Sequence, residues 1–163
     1  MYQLEREERL DLKDIPDIRL KRVHDYWQDL CGKRKMPARS EIDPLSIWPA
    51  LGRVNLIDVE AAGSSSNNQK RQYRHRLFGS LMGVIEGKDF TGKTLQDLPY
   101  PQYRELLNRH YDEIVEQRLP SYYIIKGVLD NKRYSYDRLA LPLSDDGENV
   151  TGIMIASFPH LLD

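Results

Sequence analysis

Four histidines, ten tyrosines and a single cysteine hold most of the chemistry that this 163-residue chain has to offer. His75 lies in an alternating run, YRHRLF, where Tyr73, His75 and Leu77 share one strand face and Arg74, Arg76 and Phe78 the other. On a face turned inward, this imidazole either contacts a ligand's carboxylate or hydroxyl, or packs between aromatics with one hydrogen bond. With Asp58 it would make an acid and base pair, the basis of an alternative reading as a small cone-shaped α+β enzyme. The two lie on different strands and no motif fixes their distance. His110 falls on the apolar stripe of a helix, between Leu107 and Ile114. His24 and His160 point to nothing specific. Tyr122, Tyr123, Tyr134 and Tyr136 cluster on two adjacent strands. A phenol joins apolar area to a polar tip, which suits a half-wet pocket, an interface or cross-strand packing. Met82 and Met154 suit an adaptable pocket wall or a core gap. The lone Cys31 excludes a disulfide framework and a cysteine-rich zinc cluster. There is no phosphate-binding glycine loop, H-E-x-x-H or paired C-x-x-C. Asp145-Asp146-Gly147 reads as a turn, so no metal site is expected.

The elements that must position these residues follow from composition and pattern. Lys and Arg number 24 against 25 Asp and Glu, so there is no basic excess for binding nucleic acid. No apolar run exceeds four residues, far short of the roughly 20 that a membrane helix needs. The charged first ten residues lack a signal peptide's apolar stretch, and a soluble, cytoplasmic protein is expected. Residues 1–15 read as a frayed or partly helical lead-in. A helix follows over 17–33, with Leu20, Val23, Trp27 and Leu30 on one face and Gly32 as its stop. Asp43-Pro44 starts a short helix reaching 52. Strands are expected over 54–60 and 73–78, joined by the polar loop 63–69. A short helix capped by Ser80 runs to 86, and a long helix covers 101–118. Strands over 122–129, 134–143 and 150–158 complete the order. Leu139, Leu141 and Leu143 alternate toward the core. The last strand is apolar on both faces, Ile153 and Ile155 against Met154 and Ala156, so both faces must be covered.

Four stretches give this order a resemblance: residues 36–59 (MPARSEIDPLSIWPALGRVNLIDV), 73–80 (YRHRLFGS), 87–98 (GKDFTGKTLQDL) and 139–157 (LALPLSDDGENVTGIMIAS). Together with the helix between them, they resemble the PAS domain family, in particular a group of small single-domain bacterial PAS-like proteins. The resemblance implies an α+β fold: a five-stranded antiparallel sheet with helices on one face, in a domain over 36–163. A lead-in and amphipathic helix over 1–35 precede it.

It also implies a non-enzymatic sensory or signalling domain. Such domains work through protein–protein contact, with or without a small molecule held between sheet and helices. The ligand, if there is one, and the signalling partner are not identified by the sequence. Cavity contacts are expected from Tyr73, His75, Met82, His110, Leu139, Leu141 and Met154. A homodimer is expected through Leu20, Val23, Trp27 and Leu30 on the leading helix. Light-sensing flavin chemistry of the family needs a cysteine in the helical middle; Cys31 lies upstream and is expected to pack. Haem-binding members commonly use a histidine on the long helix, where His110 sits. The favoured role of His110 is nevertheless that of a hydrogen-bonded core histidine.

Overall fold

The computed structural model describes residues 1–48, 50–62, 71–83 and 86–160. Six antiparallel strands form one sheet: β1 (Tyr2–Leu10), β2 (Val54–Ala61), β3 (Arg71–Leu77), β4 (Ser121–Leu129), β5 (Lys132–Leu143) and β6 (Gly152–Pro159). Their spatial order is β1-β4-β5-β6-β2-β3. The helices α1 (Ile18–Cys31) and α2 (Pro101–Gln117) take opposite faces. Register shows this. Asp137 pairs with Phe158, over whose ring the α1 residue Arg19 lies at 3.9 Å. Neighbouring Arg138 points the other way and meets His110 of α2. The face under α2 is called inner below, that under α1 outer.

α1 forms where capping and periodicity agree. The Asp17 carboxylate accepts from the Arg19 amide at 2.8 Å, and Gly32, at φ 57°, ends the helix in a conformation costly for other residues. Its stripe of Leu20, Val23 and Trp27 is buried against the protein's own sheet, and the Trp27 indole N–H donates to the Pro142 carbonyl at 2.9 Å. Covering the outer face closes the apolar β6 on both sides, as expected. The same packing removes those three side chains from the surface, so they are not a dimer interface in this arrangement. Leu30 is half-buried. α2 begins with proline at its first turn and ends at Arg118 in the left-handed region.

The first ten residues depart furthest from expectation. They form β1, a sixth strand pairing with β4 through a register shift between Leu4 and Arg6. Tyr2, Glu7 and Arg9 turn to the inner face, where Glu7 and Arg9 meet charges on α2. The short helix after Asp43 is two 3-10 turns, Pro44–Ile47 and Ala50–Arg53, with the Asp43 carboxylate accepting from the Leu45 amide at 3.0 Å. The expected loop 63–69 lies outside the described residues, as do 84 and 85. Residues 80–83 and 86 make turns rather than a helix. Among the described residues, no helix is long and apolar enough to cross a membrane.

Candidate functional site

Alternation along β5 puts Tyr134, Tyr136 and Arg138 on the inner face. Opposite them on β4 stand Gly127, Ile125 and Tyr123. The Tyr134 ring lies over Gly127, where any side chain would collide with it. Tyr134 stacks on Tyr136 at 5.8 Å and on Tyr2 of β1 at 5.7 Å, and Tyr2 meets Tyr103 of α2 at 5.3 Å. The strands and α2 thus converge on a layer of phenols. The Tyr136 hydroxyl is buried with no hydrogen-bond partner among the described residues, and those of Tyr2 and Tyr134 have none there but each other. Buried polar groups rarely stay unpaired, so the Tyr136 hydroxyl is an unmet demand for an acceptor or donor.

A cavity of about 330 Å³ lies where β5 begins and β6 ends. Tyr134, Tyr136 and Ser157 form its sheet wall, while Met82, Glu86 and Tyr103 stand in its other wall with Arg53, Arg133 and His160. The loop carrying Met82 is anchored by Asn55, whose side-chain oxygen accepts from the Gly79 amide at 2.9 Å. The Tyr103 hydroxyl donates to Glu86 at 2.6 Å. Burial pushes the Tyr103 and Tyr136 phenols well above their ordinary pKa, so both remain protonated donors at neutral pH.

Behind this wall, Arg138 is only 4% exposed. Its one side-chain hydrogen-bond partner among the described residues is the Nδ1 of His110. An imidazole that accepts at Nδ1 must be neutral and carry its proton on Nε2, which donates to Glu7. Burial, with Arg138 alongside, holds the His110 pKa far below normal. Glu7 is also gripped by Arg109 at 2.6 and 3.1 Å, which keeps its carboxyl ionised. The Tyr123 ring stacks on His110 at 3.9 Å. The chain Glu7–His110–Arg138 therefore runs from the edge strand through α2 to β5. Among the described residues it leaves the Arg138 cation without an adjacent carboxylate, an arrangement that favours an anionic or acceptor-rich visitor.

Of the residues expected at the cavity, Met82 lines it. Tyr73 and His75 share the inner face but are spent on structure. The Tyr73 hydroxyl donates to Asp112, and its ring meets Tyr111 edge-on at 5.3 Å. The His75 Nδ1–H donates to the Lys93 carbonyl at 3.1 Å, and burial lowers its pKa. Asp58 points to the outer face, where Arg39 at 3.3 Å and Arg76 hold it. The sheet itself separates His75 from Asp58, which removes the acid and base pair of the enzyme alternative. Both ring nitrogens of His110 are engaged by protein, leaving neither to ligate an iron. Leu139, Leu141 and Met154 are corrected as well: they lie on the outer face under α1, because in β5 the odd positions oppose Tyr136 and Arg138.

Arg138 and Glu86 are among the members that were not foreseen, with Tyr2, Glu7, Tyr103 and Ser157. Arg138 had a signal, since RYSYDR places Tyr134, Tyr136 and Arg138 at one parity. Glu86 had none, because turns have no period. A family model described as PAS domain matches residues 17–155. No curated protein and no solved structure matches the chain.

Proposed function

The chain belongs to the PAS domain family, whose members serve sensory and signalling roles, and from that premise we propose a non-enzymatic sensor that reads a small molecule in the tyrosine-walled cavity. The observation that carries this reading is the unmet polarity of the inner face among the described residues: a buried Tyr136 hydroxyl without a hydrogen-bond partner, and behind it a buried guanidinium whose one hydrogen bond goes to a neutral imidazole. Phenol and guanidinium groups offer N–H and O–H donors, so the complementary ligand brings acceptor atoms. Met82 and Leu81, opposite the tyrosines, accept an apolar body. The response passes to a signalling protein by contact, as in the family at large.

Native mass spectrometry and an ultraviolet–visible spectrum of the purified protein test the reading, followed by melting curves against a panel of small organic acids. A ligand at a hundred times its dissociation constant stabilises the fold by about 2.7 kcal/mol, or roughly 5–10 °C in a domain of this size. The shift should weaken in Tyr136→Phe, which strips a hydroxyl from the cavity wall, and in Arg138→Met, which removes the cation behind that wall. A bare polypeptide mass together with an unmoved melting temperature across the panel would refute it.

A further inference from the structure

The two edges of the sheet differ. At β3, the backbone of His75 is bonded on its far side by Lys93 and Gly92, at 2.9 and 2.7 Å, and Arg74 bridges to Thr94. At β1, nine residues run along β4 on one side, and no backbone partner lies on the other among the described residues. The bulge between Leu4 and Arg6 leaves Glu5 to Arg9 as the regular part of that open edge, and an open edge is a template for another strand. Bulges and charges ordinarily blunt an edge, but the charges of this stretch complement a second copy of themselves.

We propose that β1 pairs antiparallel with β1 of a second copy, about a twofold axis at Glu7. In that register Arg6 stands opposite the partner's Glu8, and Glu8 opposite the partner's Arg6. Glu5 meets the partner's Arg9. Cross-strand pairs of opposite charge stabilise a ladder, and like charges weaken it. Shifting the axis to Arg6 sets Arg6 against itself and Glu5 against Glu7. Shifting it to Glu8 sets Glu8 against itself and leaves Arg6 opposite Leu10, with Glu7 against Arg9 as its one kind of attractive pair, where the axis at Glu7 has two. The two Glu7 side chains on the axis repel little, because each turns inward to Arg109 and His110. Arg6 and Glu8 lie on the outer face, already paired within one chain, and exchange partners on association.

The geometry leaves room. α2 touches β1 and β5, so it lies over β4. In the joined sheet the two β4 strands are three spacings apart, about 14 Å. That exceeds the 8–10 Å or so between packed helices, so the α2 pair does not collide. α1 sits farther away, over β5 and β6 on the outer face. The product is a continuous twelve-stranded sheet with an isologous interface. It is independent of whether the cavity holds a ligand.

Light scattering of the full chain over a concentration series, with hydrogen exchange across residues 2–10, tests this. Wild type should dimerise and its β1 amides gain protection with concentration. Arg6→Glu and Glu8→Arg should each weaken the dimer about thirtyfold, through two attractions turned to repulsions. The double variant Arg6→Glu/Glu8→Arg should restore it. Arg6 is exposed and Glu8 half-buried on the outer face, so monomeric variants should keep close to the wild-type melting temperature seen at low concentration. A wild type that stays monomeric, a dimer indifferent to Arg6→Glu, or a double variant that does not recover would each overturn the proposal.

Discussion

Replacing Gly127 with alanine adds one methyl group at the most crowded point of the inner face. The new carbon would lie 2.6 Å from Tyr134 Cζ and nearer still to the Tyr134 hydroxyl and the Gln3 carbonyl. Carbon atoms rest about 3.5–4.0 Å apart, so either the ring or the β1 backbone must retreat by about 1 Å. Overpacking of this kind costs about 1–3 kcal/mol. Gly127 has no positive φ, so alanine also stiffens the unfolded chain and returns about 0.4–1 kcal/mol. The clash wins, with a net loss of about 2 kcal/mol and a melting temperature lowered by about 4–8 °C. Hydrogen exchange then shows which neighbour yielded. If β1 lifts, the amides of residues 2–7 lose protection and the Glu7 contact to His110 goes with them. If Tyr134 swings, β1 protection holds while the near-ultraviolet dichroism of the stacked phenols changes. A melting temperature within about 1 °C of wild type, with both signals intact, would refute the crowding on which the layer of tyrosines rests.

Arg138→Met, which removes a buried charge with no carboxylate beside it among the described residues, should leave the ligand-free protein as stable or more stable by about 1 kcal/mol in urea titration; a loss beyond about 3 kcal/mol would mean that the cation is better satisfied than its one hydrogen bond implies. His24, His75 and His110 are buried with folded-state pKa values below their unfolded 6.5. The unfolded chain therefore binds more protons as pH falls through 6.5, and stability present at neutral pH drains away toward each folded pKa, at up to about 1.4 kcal/mol per pH unit for each histidine. Urea midpoints that match at about pH 7.5 and pH 5.5 would contradict this. Nine tyrosines have pKa values raised, by burial first. Their stabilisation is complete below pH 10 and lost above it, so phenolate absorbance should appear together with unfolding. A folded protein already half ionised at about pH 10 would count against the burial of these rings.

Elements with a strong period were legible from sequence alone. Leu20, Val23 and Trp27 recur as a helical face should, and the cap at Asp17 and stop at Gly32 sit where expected. β1 was not legible, because its inward positions include Glu7 and Arg9, whose countercharges lie over a hundred residues away on α2. No local pattern encodes such a pairing. In β5 the stretch LALPL is apolar on both faces, so hydrophobicity could not say which face looks into the cavity. The polar half of the same strand decides it, through Tyr134, Tyr136 and Arg138. His75 and His110 had the right face but the wrong availability, since a side chain's parity is written in the strand while its hydrogen-bond partner is not.

The place of β6 in the sheet has a consequence for how the polypeptide is made. β2 and β3 form one hairpin and β4 and β5 another, yet the two hairpins never pair directly; β6 is the strand between them. During synthesis, residues 54–77 and 121–143 emerge with apolar edges open and nothing to join them until residues 152–159 arrive. Closing contacts of such long range is slow, and open edges associate with their neighbours meanwhile. The nascent chain is thus exposed to aggregation up to the moment its seam is delivered, and it gains little from folding piecemeal. A chain interrupted before Gly152 has β1, β4 and β5 on one side and the hairpin of β2 and β3 on the other, with the strand that would join them missing.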